Sequence, residues 1–133
     1  MVLSAKKFTN RLGKLGYRFD CADMDDGGTR VIFHYKEKDA YMFFDAKGTH
    51  VSIREEYAFC PDERIPDMLI ICNSLNDQYN WLKFFVNKRN YVAVADDAVI
   101  SVKTAADECL ELLSNVCRIL DEVGPIIDQG LKD

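Results

Sequence analysis

Histidine is scarce in this chain, with two residues, and tryptophan occurs once. Neither a Cys-x-x-Cys nor a His-x-x-x-His pair is present, which leaves no ligand cluster of the kind zinc needs. No apolar run approaches the roughly 18 residues of a membrane span. The opening MVLSAKKFTN has no apolar h-region of the kind a signal peptide carries, so export by the common route is not expected. Basic charge is also in deficit: 17 Lys and Arg against 22 Asp and Glu give a net charge of -5. That balance disfavours non-specific nucleic-acid binding, which depends on neutralising phosphates. The chain shows no internal repeat, low-complexity run or linker, so residues 1–133 are read as one domain.

The five cysteines, Cys21, Cys60, Cys72, Cys109 and Cys117, are odd in number. Buried free Cys behaves as a small hydrophobe, so reduced thiols in a cytoplasmic protein are expected. With 48% hydrophobic residues, a chain of this size can fill a core and fold without disulfides or metal. Charge is unevenly spread. Lys6, Lys7, Arg11, Lys14 and Arg18 are clustered without an acid, while the last helical segment carries Asp107, Glu108, Glu111, Asp121 and Glu122 against Arg118. Both sets read as solvated helix faces.

The stretch from Pro66 to Ser101 states the architecture most clearly. Met68, Cys72, Leu75 and Tyr79 recur at three- and four-residue spacing and share a helical face. At Trp81 the period becomes two: Leu82, Phe84 and Val86 face one way, Trp81, Lys83 and Phe85 the other. Asn87-Lys-Arg-Asn90 supplies a polar turn, and Tyr91-Val-Ala-Val-Ala returns as a strand.

Ahead of this stretch, Ser4 is positioned to cap a first helix with Leu3 or Ala5, Phe8, Leu12 and Leu15 as its stripe and Gly16 as its terminator. Four strands follow, separated by turns at Asp23–Gly28, Lys36–Asp39 and Asp45–Gly48. The third, Ala40 to Ala46, is apolar on both faces, with Tyr41 and Phe43 opposed to Met42 and Phe44. Such a strand belongs inside a sheet or under a partner. The last helix is expected from Thr104, with Asp107 in a near capping box, and with Gly124-Pro125 breaking or kinking it. The order is α-ββββ-α-ββ-α. Strands joined by tight turns are antiparallel, so the fold class is α+β.

Chemistry is hard to find. The Asp20 to Asp26 carboxylates beside Gly27-Gly28 fail calcium-loop spacing and read as a hairpin turn. His34 and His50 fall within strands. No G-x-S-x-G occurs, and no cysteine sits in a basic turn next to a histidine. Asp96-Asp97, inside an otherwise apolar strand, is the one chemical oddity; a bulge or bend at the end of the sheet accounts for it. Asn73 and Asn76 share a helical face and are read as hydrogen bonding to an adjoining backbone. Catalytic, cofactor and metal residues are therefore all assigned as none.

Cys72-Asn-Ser-Leu-Asn76, then Trp81-Leu-Lys-Phe-Phe-Val86, a short turn and Tyr91-Val-Ala-Val-Ala together resemble the YbjN family, the bacterial sensory transduction regulators. The motif covers residues 66–101, while the helix and strand order covers nearly the whole chain, with one meander strand more than the usual form. The resemblance implies a fold similar to type III secretion chaperones, no catalytic residue, no cofactor, and a binding or adaptor role, often with self-association.

The reading is thus a non-enzymatic protein-binding module, adaptor- or chaperone-like and possibly regulatory in role. Protein or peptide partners are expected, with a homodimer, no nucleic acid and no membrane. The interaction candidates are Trp81, Phe85, Tyr41 and Phe43, because aromatics on a sheet face turned away from the helices are typical of interface cores. Its rival is a small-molecule sensor or cryptic enzyme, using Asp96, Asp97 and a histidine in a pocket between sheet and helix.

Overall fold

The structure, a computed structural model, describes residues 1–132. Helix α1 (Leu3–Lys14) leads into four strands, β1 (Phe19–Asp23), β2 (Thr29–Tyr35), β3 (Lys38–Phe44) and β4 (His50–Phe59). A short 3-10 turn precedes α2 (Ile65–Gln78), the hairpin β5 (Lys83–Val86) and β6 (Tyr91–Val99) follows, and α3 (Ala105–Lys132) closes the chain. The α+β order matches the sequence reading. All six strands form one antiparallel sheet in the order β1-β2-β3-β4-β6-β5. The crossing through α2 carries the chain past β4 to the far edge, and β6 returns beside β4.

Alternation decides which face is buried. Val31 and Phe33 from β2, Ala40, Met42 and Phe44 from β3, Val51 and Ile53 from β4, Val92 and Val94 from β6 and Phe84 from β5 make one inner face. All three helices cover that face. Phe8 and Leu12 of α1, Met68, Cys72 and Leu75 of α2, and the α3 stripe Cys109, Leu112, Leu113, Val116, Leu120, Val123 and Ile127 complete the core.

Local signals differ from expectation at both ends of the chain. Ser4 does not cap α1: Val2 holds that position, and Ser4 is buried inside the first turn. Gly16 does terminate the segment, with φ +80 in the left-handed region that glycine tolerates. At the start of α3, Glu108 rather than Asp107 reaches back, accepting from the Ser101 backbone N–H at 2.9 Å. Asp107 instead pairs with Arg11 of α1 at 2.7 Å. Neither does α3 end at Pro125; the helix runs on to Lys132. Pro125 withholds its hydrogen bond from the Asp121 carbonyl, but tertiary contacts hold the last turns. Ile127 is buried, and the Arg64 guanidinium donates twice to the Gly130 carbonyl, at 3.1 and 2.8 Å.

An edge strand exposes unpaired backbone groups, and Asn76 answers this at β5. Its amide Nδ2 donates to the Phe84 carbonyl at 2.9 Å, and its Oδ1 accepts from the Phe84 N–H at 2.6 Å. The side chain stands in for one residue of a neighbouring strand, as the backbone-bonding reading of the N-x-x-N pair requires; Asn73 is exposed one turn earlier. Asn76→Ala should remove both bonds and lower stability by about 1–3 kcal/mol. Hydrogen exchange checks the mechanism: the Phe84 amide should lose protection, and unchanged protection would refute it.

Candidate functional site

The sheet face turned away from the helices is open, and strand register sets its order. Tyr41 lies between Ile32 and Arg54, and Phe43 between Arg30 and Ser52. Their rings stack at 6.5 Å with 16° between planes. Phe85 faces the same side, opposite Ala93, and is half-buried. Trp81 stands just before β5 and is 88% exposed. A tryptophan plugging the core between helix and hairpin is inconsistent with that exposure. Leu82, its neighbour, makes the inward contact instead.

Other apolar groups are exposed that sequence reading did not single out. Phe59 stands edge-on to Tyr91 with ring centres 5.7 Å apart. Val99 ends β6 on the open face, and Leu69 and Ile70 lie on the solvent side of α2. A signal for the last two was present: in Met68-Leu-Ile-Ile-Cys72 only one residue in three or four can join the buried stripe.

Several charges on the open face are paired. His34 sits between Asp39 and Asp20, each at 2.8 Å from one ring nitrogen. The Asp39 hydrogen bond first, then that of Asp20, raises the imidazole pKa above its ordinary 6.5. Arg54 approaches Asp97 at 3.6 Å, and the Ser52 hydroxyl donates to the same carboxylate. Arg89 lies 3.5 Å from Glu56.

The expected grouping of Asp96, Asp97 and a histidine between sheet and helix does not form. Pairing of Ile53 with Asp96 and Ser52 with Asp97 continues unbroken through β6, so the two carboxylates point to opposite faces. The bulge expected there occurs in β4 instead, between Glu56 and Ala58. His50 and Asp97 share a shallow depression on the open face, where Asp45 holds the imidazole at 3.2 Å. The two histidines stay apart, because the His34 row meets β4 at Glu56, six residues or about 20 Å from His50. Among the described residues no three His, Cys, Asp or Glu side chains converge as a metal site.

The inner face holds a residue that the apolar pattern concealed. Glu55 continues the parity of Val51 and Ile53, faces the helices, and is 4% exposed. Its Oε1 has no hydrogen-bond partner. Burial pushes its carboxyl up from 4.5 to about 7; Lys38 opposes this, and Asp121 and Asp39 add to it. Tyr57 keeps the same inward parity at the start of the β4 bulge, and its hydroxyl donates to Asp128 at 3.0 Å. Gly124 makes room for that ring, since a Cβ there would lie 2.7 Å from the Tyr57 oxygen. Together with the β2–β3 turn, these residues surround a half-open cavity of about 480 Å³.

The sequence profile of the YbjN family, described as "putative bacterial sensory transduction regulator", matches residues 8–128. The chain belongs to the YbjN family. Curated protein sequences yield no match. Among solved structures the chain is similar to YbjN of E. coli, described as a putative transcription regulator, with 11% identity and a TM-score of 0.62. That match covers 94% of this chain and 95% of the other. It is also similar to the ExsC–ExsE complex, at 13% identity and TM-score 0.64 over 96% and 97% of the two chains. The HopA1–SchA chaperone–effector complex matches at 14% identity and TM-score 0.51, over 84% and 88%. The fold is that of the type III secretion chaperones. No helix among the described residues is long and apolar enough to cross a membrane.

Two expectations follow for this YbjN-family chain. Because the folded pKa of Glu55 lies above its unfolded value, the folded state binds the extra proton, and stability is complete below about pH 4.5. It falls as pH rises to about 7 and stays lowered above that. Glu55→Gln should thus be more stable than wild type at pH 8 by up to about 3 kcal/mol, with the gap closing toward pH 4. Denaturant melts at both pH values check this, and a gap independent of pH would rule it out. The thiols give the second. Burial pushes Cys72 up to about 11 and Cys109 and Cys117 to about 12, and Cys60 upward as well, whereas Cys21 is exposed. A thiol reagent should label Cys21 quickly in native protein, half-buried Cys117 more slowly, and Cys60, Cys72 and Cys109 only on unfolding. Rapid labelling of several would contradict the buried, reduced assignment.

Proposed function

We propose that this chain is a non-enzymatic, regulatory adaptor or chaperone-like module of the cytoplasm, binding a protein segment through the open face of its sheet. The observation that carries the reading is the aromatic set on that face: Tyr41 and Phe43 stacked, Phe85 beside Ala93, and Trp81 held in solvent. A fully hydrated tryptophan costs free energy that contact with a partner recovers. The matching folds support a protein partner, since ExsC–ExsE is a complex and HopA1–SchA a chaperone–effector complex.

The first partner is a second copy, arranged in a two-fold dimer, the commonest closed assembly. Sedimentation at tens of micromolar protein tests it. Wild type should sediment as a dimer, and Trp81→Ala should weaken association by about 2 kcal/mol or more. The same change should leave the monomer fold within about 0.5 kcal/mol, as expected of a surface position. A wild-type monomer would sink the dimer and leave a different protein as partner. A large loss of monomer stability in Trp81→Ala would place the indole in the core and remove the basis of the reading.

A further inference from the structure

The cavity behind the β2–β3 turn lies on the opposite side of the sheet from the aromatic face, and its chemistry is specific. Its volume of about 480 Å³ falls within the range of small-molecule sites, roughly 300–1,000 Å³. Leu120, Cys117, Gly124 and Pro125 give it an apolar wall along α3. From the sheet side it is lined by Glu55, a carboxyl almost wholly buried and lacking a partner at Oε1. In its ionised form this carboxyl only accepts hydrogen bonds, so a ligand that holds it ionised must donate.

Among the described residues no hydrogen bond reaches Oε1, and the Lys38 charge acts on the carboxyl from a distance only. Lys36 is paired with Asp121 at 3.3 Å, and Lys38 donates to the Tyr57 carbonyl at 2.6 Å. The Tyr35 hydroxyl donates to Asp121 at 3.1 Å, and that of Tyr57 to Asp128. Every basic or hydroxyl donor at the rim is thus engaged with an acceptor other than Glu55. An anionic ligand would meet Glu55, Glu37 and Asp121, with Lys36 and Lys38 each already holding one acceptor. A cation would meet the buried carboxyl of Glu55, while the rings of Tyr35 and Tyr57 already carry the Lys36 and Lys38 ammoniums, 5.1 and 4.7 Å from their centres.

We propose that this cavity binds a small organic amine, its ammonium group received by Glu55 and its apolar body laid along Cys117, Leu120 and Pro125. The site is independent of the protein-binding reading, because the two surfaces lie on opposite faces of β4.

Benzylamine, with benzyl alcohol as its neutral isostere, is a sufficient probe. In an amide NMR titration benzylamine should give saturable shifts confined to residues 35–38, 55–57 and 117–124. Benzyl alcohol should bind at least about tenfold more weakly, as loss of a charge-assisted hydrogen bond implies. Glu55→Gln should lose a similar factor for benzylamine. Cys117→Leu, which fills the cavity and leaves Glu55 in place, should abolish the shifts while keeping a folded spectrum. Non-saturable or scattered shifts, equal binding of the alcohol, or undiminished binding by Glu55→Gln would each overturn the proposal. Should a variant fail to fold, the comparison of amine with alcohol on wild-type protein still decides it.

Discussion

One long helix laid over one face of the sheet is the constraint on which the other features depend. With 28 residues, α3 extends about 42 Å, more than the roughly 24 Å across six strands. Its first turns meet α1 through Arg11 and Asp107, its middle meets β2 through Tyr35 and Asp121, and its end meets the turn before α2 through Arg64 and Gly130. Each buried Leu, Ile or Val on its stripe contributes about 1.5–3 kcal/mol. With α3 occupying the inner face and α1 and α2 flanking it there, no helix is left for the other side. The open face is therefore a consequence of how the helical residues are used.

The same constraint produces the cavity. Side chains that follow Val51 and Ile53 at two-residue spacing must point toward α3, whatever their chemistry. Glu55 occupies the next such position and Tyr57 the one after it. The helix meets these two with Cys117, Gly124 and Pro125, residues too small or too rigid to fill the gap. A polar group is thus buried where apolar volume runs short, at the point where α3 forgoes a backbone hydrogen bond.

Periodicity made most of the fold legible. Alternation in β3 and β5 assigned faces correctly, and the stripe of α2 identified its buried residues, because both patterns are local consequences of backbone geometry. Asn76 was readable as a backbone partner because an asparagine in a helix needs such a role. What failed depended on other elements. Ser4 and Asp107 look like caps, yet packing of α1 buries one and Arg11 engages the other. Pro125 looks like a terminator, yet Ile127 and Arg64 secure the turns beyond it. Asp96-Asp97 looks like a bulge, yet β4 pairs with both. Glu55 was passed over because Val51, Ile53 and Tyr57 already formed an apolar side. Its inward side follows from the parity of Val51 and Ile53 alone, without the bulge beyond it.

The open face combines charge with aromatic surface, and their energies decide which can hold a partner. Arg54 with Asp97, Arg89 with Glu56 and His34 with its two aspartates are exposed pairs, each worth about 0–1 kcal/mol. Paired with one another, they leave little net charge to attract a ligand of either sign. The apolar term is larger: burying a single aromatic of this kind contributes about 1.5–3 kcal/mol. Under the proposed reading, covering Trp81, Tyr41, Phe43 and Phe85 would supply most of what a partner gains, and the ion pairs would orient its approach.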